Sequence, residues 1–115
     1  MNEDIIEMIN IYQTYEVDWM GDKITSLSDL TRHHIKKKQY DGEDSINNYA
    51  LLTSTSHHLI HFLEDKYNKE YKYINNLFIE LNNSKMPPSE EYFNNIFNVL
   101  KKVKKDIKNK RRNRK

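Results

Sequence analysis

The chain has 115 residues, 37% hydrophobic and 31% charged, with two Gly, two Pro and no Cys, a size that points to one domain and a short tail. The lack of Cys excludes disulfides and cysteine-bound zinc, and no apolar run approaches the roughly 20 residues of a membrane span. The net charge of +2 conceals a division: Lys101 to Lys115 hold ten Lys or Arg and one Asp, a net +9, which leaves −7 on the first hundred residues and suggests a polyanionic partner.

In chain order, the acidic start Met1-Asn2-Glu3-Asp4 is unlike a signal peptide. It leads into Ile5, Met8, Ile9 and Tyr12, whose spacing predicts a helix over Glu3–Tyr15. Tyr15, Val17 and Trp19 then alternate with acids before the turn signal Gly21-Asp22, which reads as a short strand or helix end entering a hairpin. Lys23 to Ile35 fit either a helix or a loop feeding a strand near Leu30–Ile35. Lys36 to Asp44, polar and holding the second Gly, reads as a loop, and Tyr49 to Thr53 as a short strand. Thr53 is placed to cap a helix carrying Leu59, Ile60, Phe62 and Leu63, and helical character continues to about Leu81 with a bend near Tyr67–Lys69. Pro87-Pro88 ends that region and Ser89 caps the last helix. Its apolar face holds Tyr92, Phe93, Ile96, Phe97, Leu100, Val103 and Ile107 before it frays from Lys108.

The histidines are not scattered. His33 and His34 are adjacent, and His57, His58 and His61 follow 23 to 28 residues later. His57 and His61, at i and i+4 on the expected helix, project from one face and can grip a single metal ion, while His58 lies about 100° round from His57. His58 stays an alternate ligand, and would replace His57 if the helix began one residue later.

From Leu30 to Lys66 the landmarks fall in an order that resembles the HNH endonucleases, the ββα-metal nucleases. His33-His34-Ile35 end a strand, a Gly-containing polar loop follows, Asn48 precedes the second strand, and His57-x-x-x-His61 lies on the following helix. The resemblance implies an α+β fold with a ββα-metal core, a hairpin plus a helix over about 30–66, flanked by N- and C-terminal helices. It implies a single nuclease domain over 1–108 and a basic tail over 109–115, in a small stand-alone protein of the phage or mobile-element type. The implied activity is metal-dependent hydrolysis of DNA phosphodiester bonds, by nicking or double-strand cleavage. His34 would be the general base, Asn48 would brace the loop and orient His34, and His33, His57 and His61 would hold one divalent ion (Mg, Mn, Ni, Co or Zn). Arg32, Lys36, Lys37 and Lys38 beside the strand, and Lys110, Arg111, Arg112 and Arg114 in the tail, would contact phosphates.

Many family members add a structural zinc held by two cysteine pairs. Here Thr53 and Ser56 stand after the second strand, and Trp19 to Asp22 stand where the upstream pair would fall. No structural zinc is expected, and apolar packing by Trp19, Leu27, Leu51, Leu59 and the C-terminal helices is expected to replace it. The implied partner is DNA in the cytoplasm, with room for a homodimer or a phage packaging or replication partner. Two rival functions stay open: a non-catalytic nucleic-acid-binding module on the same scaffold, and an all-α interaction module, which needs helix over Leu30–Leu52.

Overall fold

A computed structural model describes residues 2–112, with Arg112 described for its backbone alone. Four helices surround a two-stranded antiparallel hairpin, an α+β arrangement. Helix α1 spans Glu3–Tyr12, β1 Thr31–His34, β2 Tyr49–Leu52, α2 Ser54–Lys66, α3 Asn68–Ser84 and α4 Glu90–Arg112. The hairpin overturns the all-α alternative, since Leu30–Leu52 hold both strands. No described helix is long and apolar enough to cross a membrane.

Helix α1 starts where the Asn2 side chain accepts a hydrogen bond from the Asp4 amide, and it ends at Gln13 in the left-handed region. Its row of Ile5, Met8, Ile9 and Tyr12 is buried. The chain then makes a narrow turn, pairing Val17 with Lys23 through Gly21 at φ 81°. A side chain at Gly21 would meet the outer end of the half-exposed Phe97 ring, and the left-handed backbone is what this turn needs Gly for.

Asp18, 1% exposed, fastens that turn to the hairpin. Its Oδ1 accepts from the Met20 and Asp22 amides and its Oδ2 from the Thr53 amide, at 2.8 to 2.9 Å. The Thr53 hydroxyl donates to Asp22 and accepts from the Ser56 amide, capping α2. A carboxylate and hydroxyl network therefore joins the two segments where the family resemblance would put cysteine pairs. Apolar packing backs it: Trp19 is fully buried edge-on to Tyr12 and Phe78, and Leu51 is fully buried. Leu27 departs from the sequence expectation, because a short 3-10 turn over Leu27–Asp29 leaves it on the surface.

In the hairpin, Thr31, Arg32, His33 and His34 pair with Leu52, Leu51, Ala50 and Tyr49 respectively. Alternation turns Thr31 and His33 inward toward α2, and Arg32 and His34 to the opposite face. All four residues of β2 are buried. Helix α2 breaks from α3 at Tyr67, within the expected bend. On α3, Asn82 donates to the Ile46 and Tyr49 carbonyls, and its own carbonyl accepts from the Tyr12 hydroxyl, which locks α1, α3 and β2 together. Ser89 caps α4 through the Tyr92 amide. Helix α4 buries Tyr92, Ile96 and Val103, runs through Arg112 rather than fraying from Lys108, and leaves Phe97 half exposed.

Candidate metal centre

Three histidines meet where β1 crosses α2. The ring centroids of His33, His57 and His61 form a triangle with edges of 5.0 Å (His57–His61), 5.9 Å (His33–His57) and 6.3 Å (His33–His61). Strand pleat turns His33 inward, and the i, i+4 spacing stacks His57 and His61 on one face of α2.

Two neighbours fix which nitrogen of each ring is bare. The Thr31 hydroxyl has one proton, and it goes to the Leu52 carbonyl at 2.8 Å. Its 2.7 Å contact with His57 Nδ1 is therefore an acceptance, so His57 carries its proton on Nδ1 and its lone pair on Nε2. Asn75 donates through Nδ2 to the Ile35 carbonyl, so its Oδ1 accepts from His33 Nε2 at 3.1 Å and leaves the lone pair of His33 on Nδ1.

The electrostatics favour the neutral form of His33 and His57. Burial pushes His33 down to about 4, with the charges of His57 and His61 acting the same way against the Asn75 hydrogen bond and Glu64. His57 is also lowered, by burial first and then by His61, His58 and His34. Neutral imidazoles whose opposite nitrogen is tied to an oxygen are the form in which histidine binds divalent metals.

The fit to a metal follows from bond lengths. With metal–nitrogen bonds near 2.1 Å, ring centroids in a tetrahedral set stand about 5.2 Å apart. The His57–His61 edge of 5.0 Å meets that spacing, the two edges from His33, 5.9 and 6.3 Å, exceed it, and among the described residues no group of three His, Cys, Asp or Glu is already in metal-binding geometry. His61, with its side chain 58% exposed, is free to close its own edge with His33, whereas the His33–His57 edge of 5.9 Å joins two rings held by Asn75 and Thr31, so metal binding also requires these two to move together. A surface cleft of about 190 Å³ lined by Thr31, Ser54, His57, His58 and His61 opens onto the pair on α2. His58 is exposed on its wall and makes none of the three ring contacts.

His34 stands on the other face of β1, edge-on to Tyr49, with its Nε2 3.1 Å from Asp44 Oδ1. A carboxylate accepts only, so the ring's Nδ1 is left open. Asp44 also accepts from the Tyr49 hydroxyl at 2.5 Å and lies 3.4 Å from Lys38 Nζ. Tyr49 and then His34 hold its carboxyl down to about 2. Asn48 braces the loop after β1: it accepts from the Lys36 amide and donates to the Lys36 and Glu43 carbonyls. His34 donates to Asp44 and makes no hydrogen bond with Asn48, whose amide is used up inside the loop.

The expected phosphate contacts divide. Lys36 is exposed, whereas Lys37 is paired with Glu64 and Lys38 with Asp44. Arg32 lies over the Tyr49 ring and donates to its hydroxyl. Lys110 is paired with Asp106 over Tyr67, and Arg111 is exposed. Arg114 and the Arg112 side chain lie outside the described residues.

The pattern search missed Thr31, Asp44 and Asn75. Strand alternation from His33 would have found Thr31. Asn75 falls on the row Tyr71, Phe78, Asn82 of α3, a polar residue on the helix face that packs inward. Asp44 had only its acidic loop as a signal. Comparison of the chain with family models, curated proteins and solved structures finds no match.

Proposed function

We propose that this protein is a metal-dependent endonuclease of the HNH kind, hydrolysing DNA phosphodiester bonds in the cytoplasm. One observation carries the reading: a triangle of histidines, two of them lowered by burial and with their tautomers fixed by Thr31 and Asn75, beside a fourth histidine held by a carboxylate. His33, His57 and His61 hold one divalent ion, with His58 at the rim. Bound there, the ion supplies Lewis-acid stabilisation of charge on the phosphate and on the leaving 3′ oxygen. His34 takes the proton of the attacking water on Nδ1, and Asp44 fixes the ring through Nε2 and stabilises the imidazolium that forms. Asn48 keeps the loop carrying Asp44 folded against β1. Arg32 and Lys36 are placed to meet flanking phosphates.

The test is cleavage of supercoiled plasmid by chelator-stripped protein resupplied with Mg, Mn, Ni, Co or Zn. Metal-dependent nicking that disappears in His34→Ala and His57→Ala is the expected result. Plasmid shifted in a gel but never cut, under any metal, would replace this reading with the non-catalytic binding scaffold.

A further inference from the structure

Helix α4 carries cations that the metal centre does not use. At 3.6 residues per turn, Lys101, Lys104, Lys105, Lys108 and Arg111 fall within an arc of about 120°. All five are exposed. Among the described residues none of them forms an ion pair, because the nearby acid Asp106 is taken by Lys110 and the Tyr67 hydroxyl on the other flank of the helix. Lys101 and Lys104 also rim an open groove of about 570 Å³, whose far wall is Thr55 and Leu59 of α2. Asp22, the acid lining this groove, is engaged by the Thr53 hydroxyl.

We propose that this stripe is a sequence-independent anchor for the sugar–phosphate backbone of duplex nucleic acid. Over Lys101 to Arg111 the helix rises about 15 Å, a length of duplex that carries about four phosphates on each strand. Five unpaired cations against about four phosphates is a matched count. An anionic lipid surface fits less well, since Tyr92, Ile96 and Val103 of α4 are buried in the core and Phe97 is the one large apolar side chain this helix leaves exposed among the described residues, too little to enter a bilayer. The groove lies across α2 from His57, a separation of about 10–12 Å, well inside the roughly 34 Å of one duplex turn. One duplex can therefore engage both surfaces. The inference rests on nucleic acid being the partner, as the proposed function has it, but not on catalysis.

The experiment is fluorescence anisotropy of a labelled 20-base-pair duplex against the full chain in chelator, from 50 to 200 mM salt. Lys104→Gln/Lys108→Gln is compared with wild type and with Lys69→Gln/Lys72→Gln on α3. With all five stripe cations engaged, the wild-type log–log salt slope has a magnitude of at least about 4. The α4 pair lowers it by about 2 and weakens binding about 50-fold near 0.1 M salt, while the α3 pair changes neither. Unchanged thermal midpoints show that the exposed substitutions spare the fold. An α4 variant that binds like wild type, a wild type that does not bind the duplex, or charge-dependent binding to phosphatidylserine vesicles in place of the duplex each overturns the proposal. Duplex binding with this slope but no cleavage under any metal supports the anchor and removes the nuclease reading.

Discussion

Burial of His33 makes the stability of the metal-free protein depend on pH in a window set by that ring. The unfolded chain takes up a proton near pH 6.5, while folded His33, 4% exposed, resists it down to about 4. Between those values the unfolded state binds more protons, so stability falls as the pH falls. It levels off for this group below pH 4. At 1.36 kcal/mol per pH unit the full loss is about 3 kcal/mol, of which about 2.5 falls between pH 7 and 4.5. His57, lowered for the same reason, adds in the same direction. The lowered carboxyls of Asp44 and Asp106 act only below their ordinary value of 3.8, so the windows are separate. Urea unfolding in chelator at the two pH values should show the midpoint dropping by about 1–2 M, and His33→Gln should lose most of that drop. Equal losses in wild type and variant would refute the argument that desolvation of His33 sets this dependence.

Removing Asp18 tests the network between the 17–23 turn and α2. Asp18→Ala strands three backbone amides and should cost about 3–5 kcal/mol by urea unfolding; a loss under 1 would mean the turn is held by packing alone. Thr31→Val removes the acceptor that keeps His57 protonated on Nδ1, and Asn75→Leu removes the one that keeps His33 protonated on Nε2. Each should weaken Zn affinity about 10–100-fold in a competition titration while the hairpin stays folded. Asn48→Ala should cost about 1–3 kcal/mol and should speed amide exchange at Lys36 more than at the strand pair Arg32–Leu51.

Local chemistry was legible wherever one residue type decides the outcome. The Thr53 and Ser89 caps, the break at Tyr67 and the turn at Gly21-Asp22 stand where propensity and capping put them. The segment Lys23–Ile35 was ambiguous because its apolar spacing fits two periods, and pairing with β2, a contact 15 to 21 residues away, decides it. Leu27 was expected inside because it is apolar, yet the 3-10 turn spends its backbone geometry on aligning β1 and leaves the side chain out. At the candidate metal centre the histidine spacing was visible, but its supports were not. Asn75 reaches His33 across 42 residues, and such a partner is set by how α3 packs rather than by any local pattern. Asn48 braces the loop as expected, but the contact with His34 falls to Asp44, because the Asn48 amide is committed to carbonyl positions that no spacing reveals.

The central claim is that His33, His57 and His61 close on one divalent ion independently of His34. Isothermal titration of the stripped protein with Zn or Ni tests this most directly, with each histidine replaced by Ala in turn. The account predicts one ion per chain, with binding lost or weakened at least 100-fold in His33→Ala, His57→Ala and His61→Ala and kept in His34→Ala. No binding by wild type, or tight binding that survives His57→Ala, would contradict it.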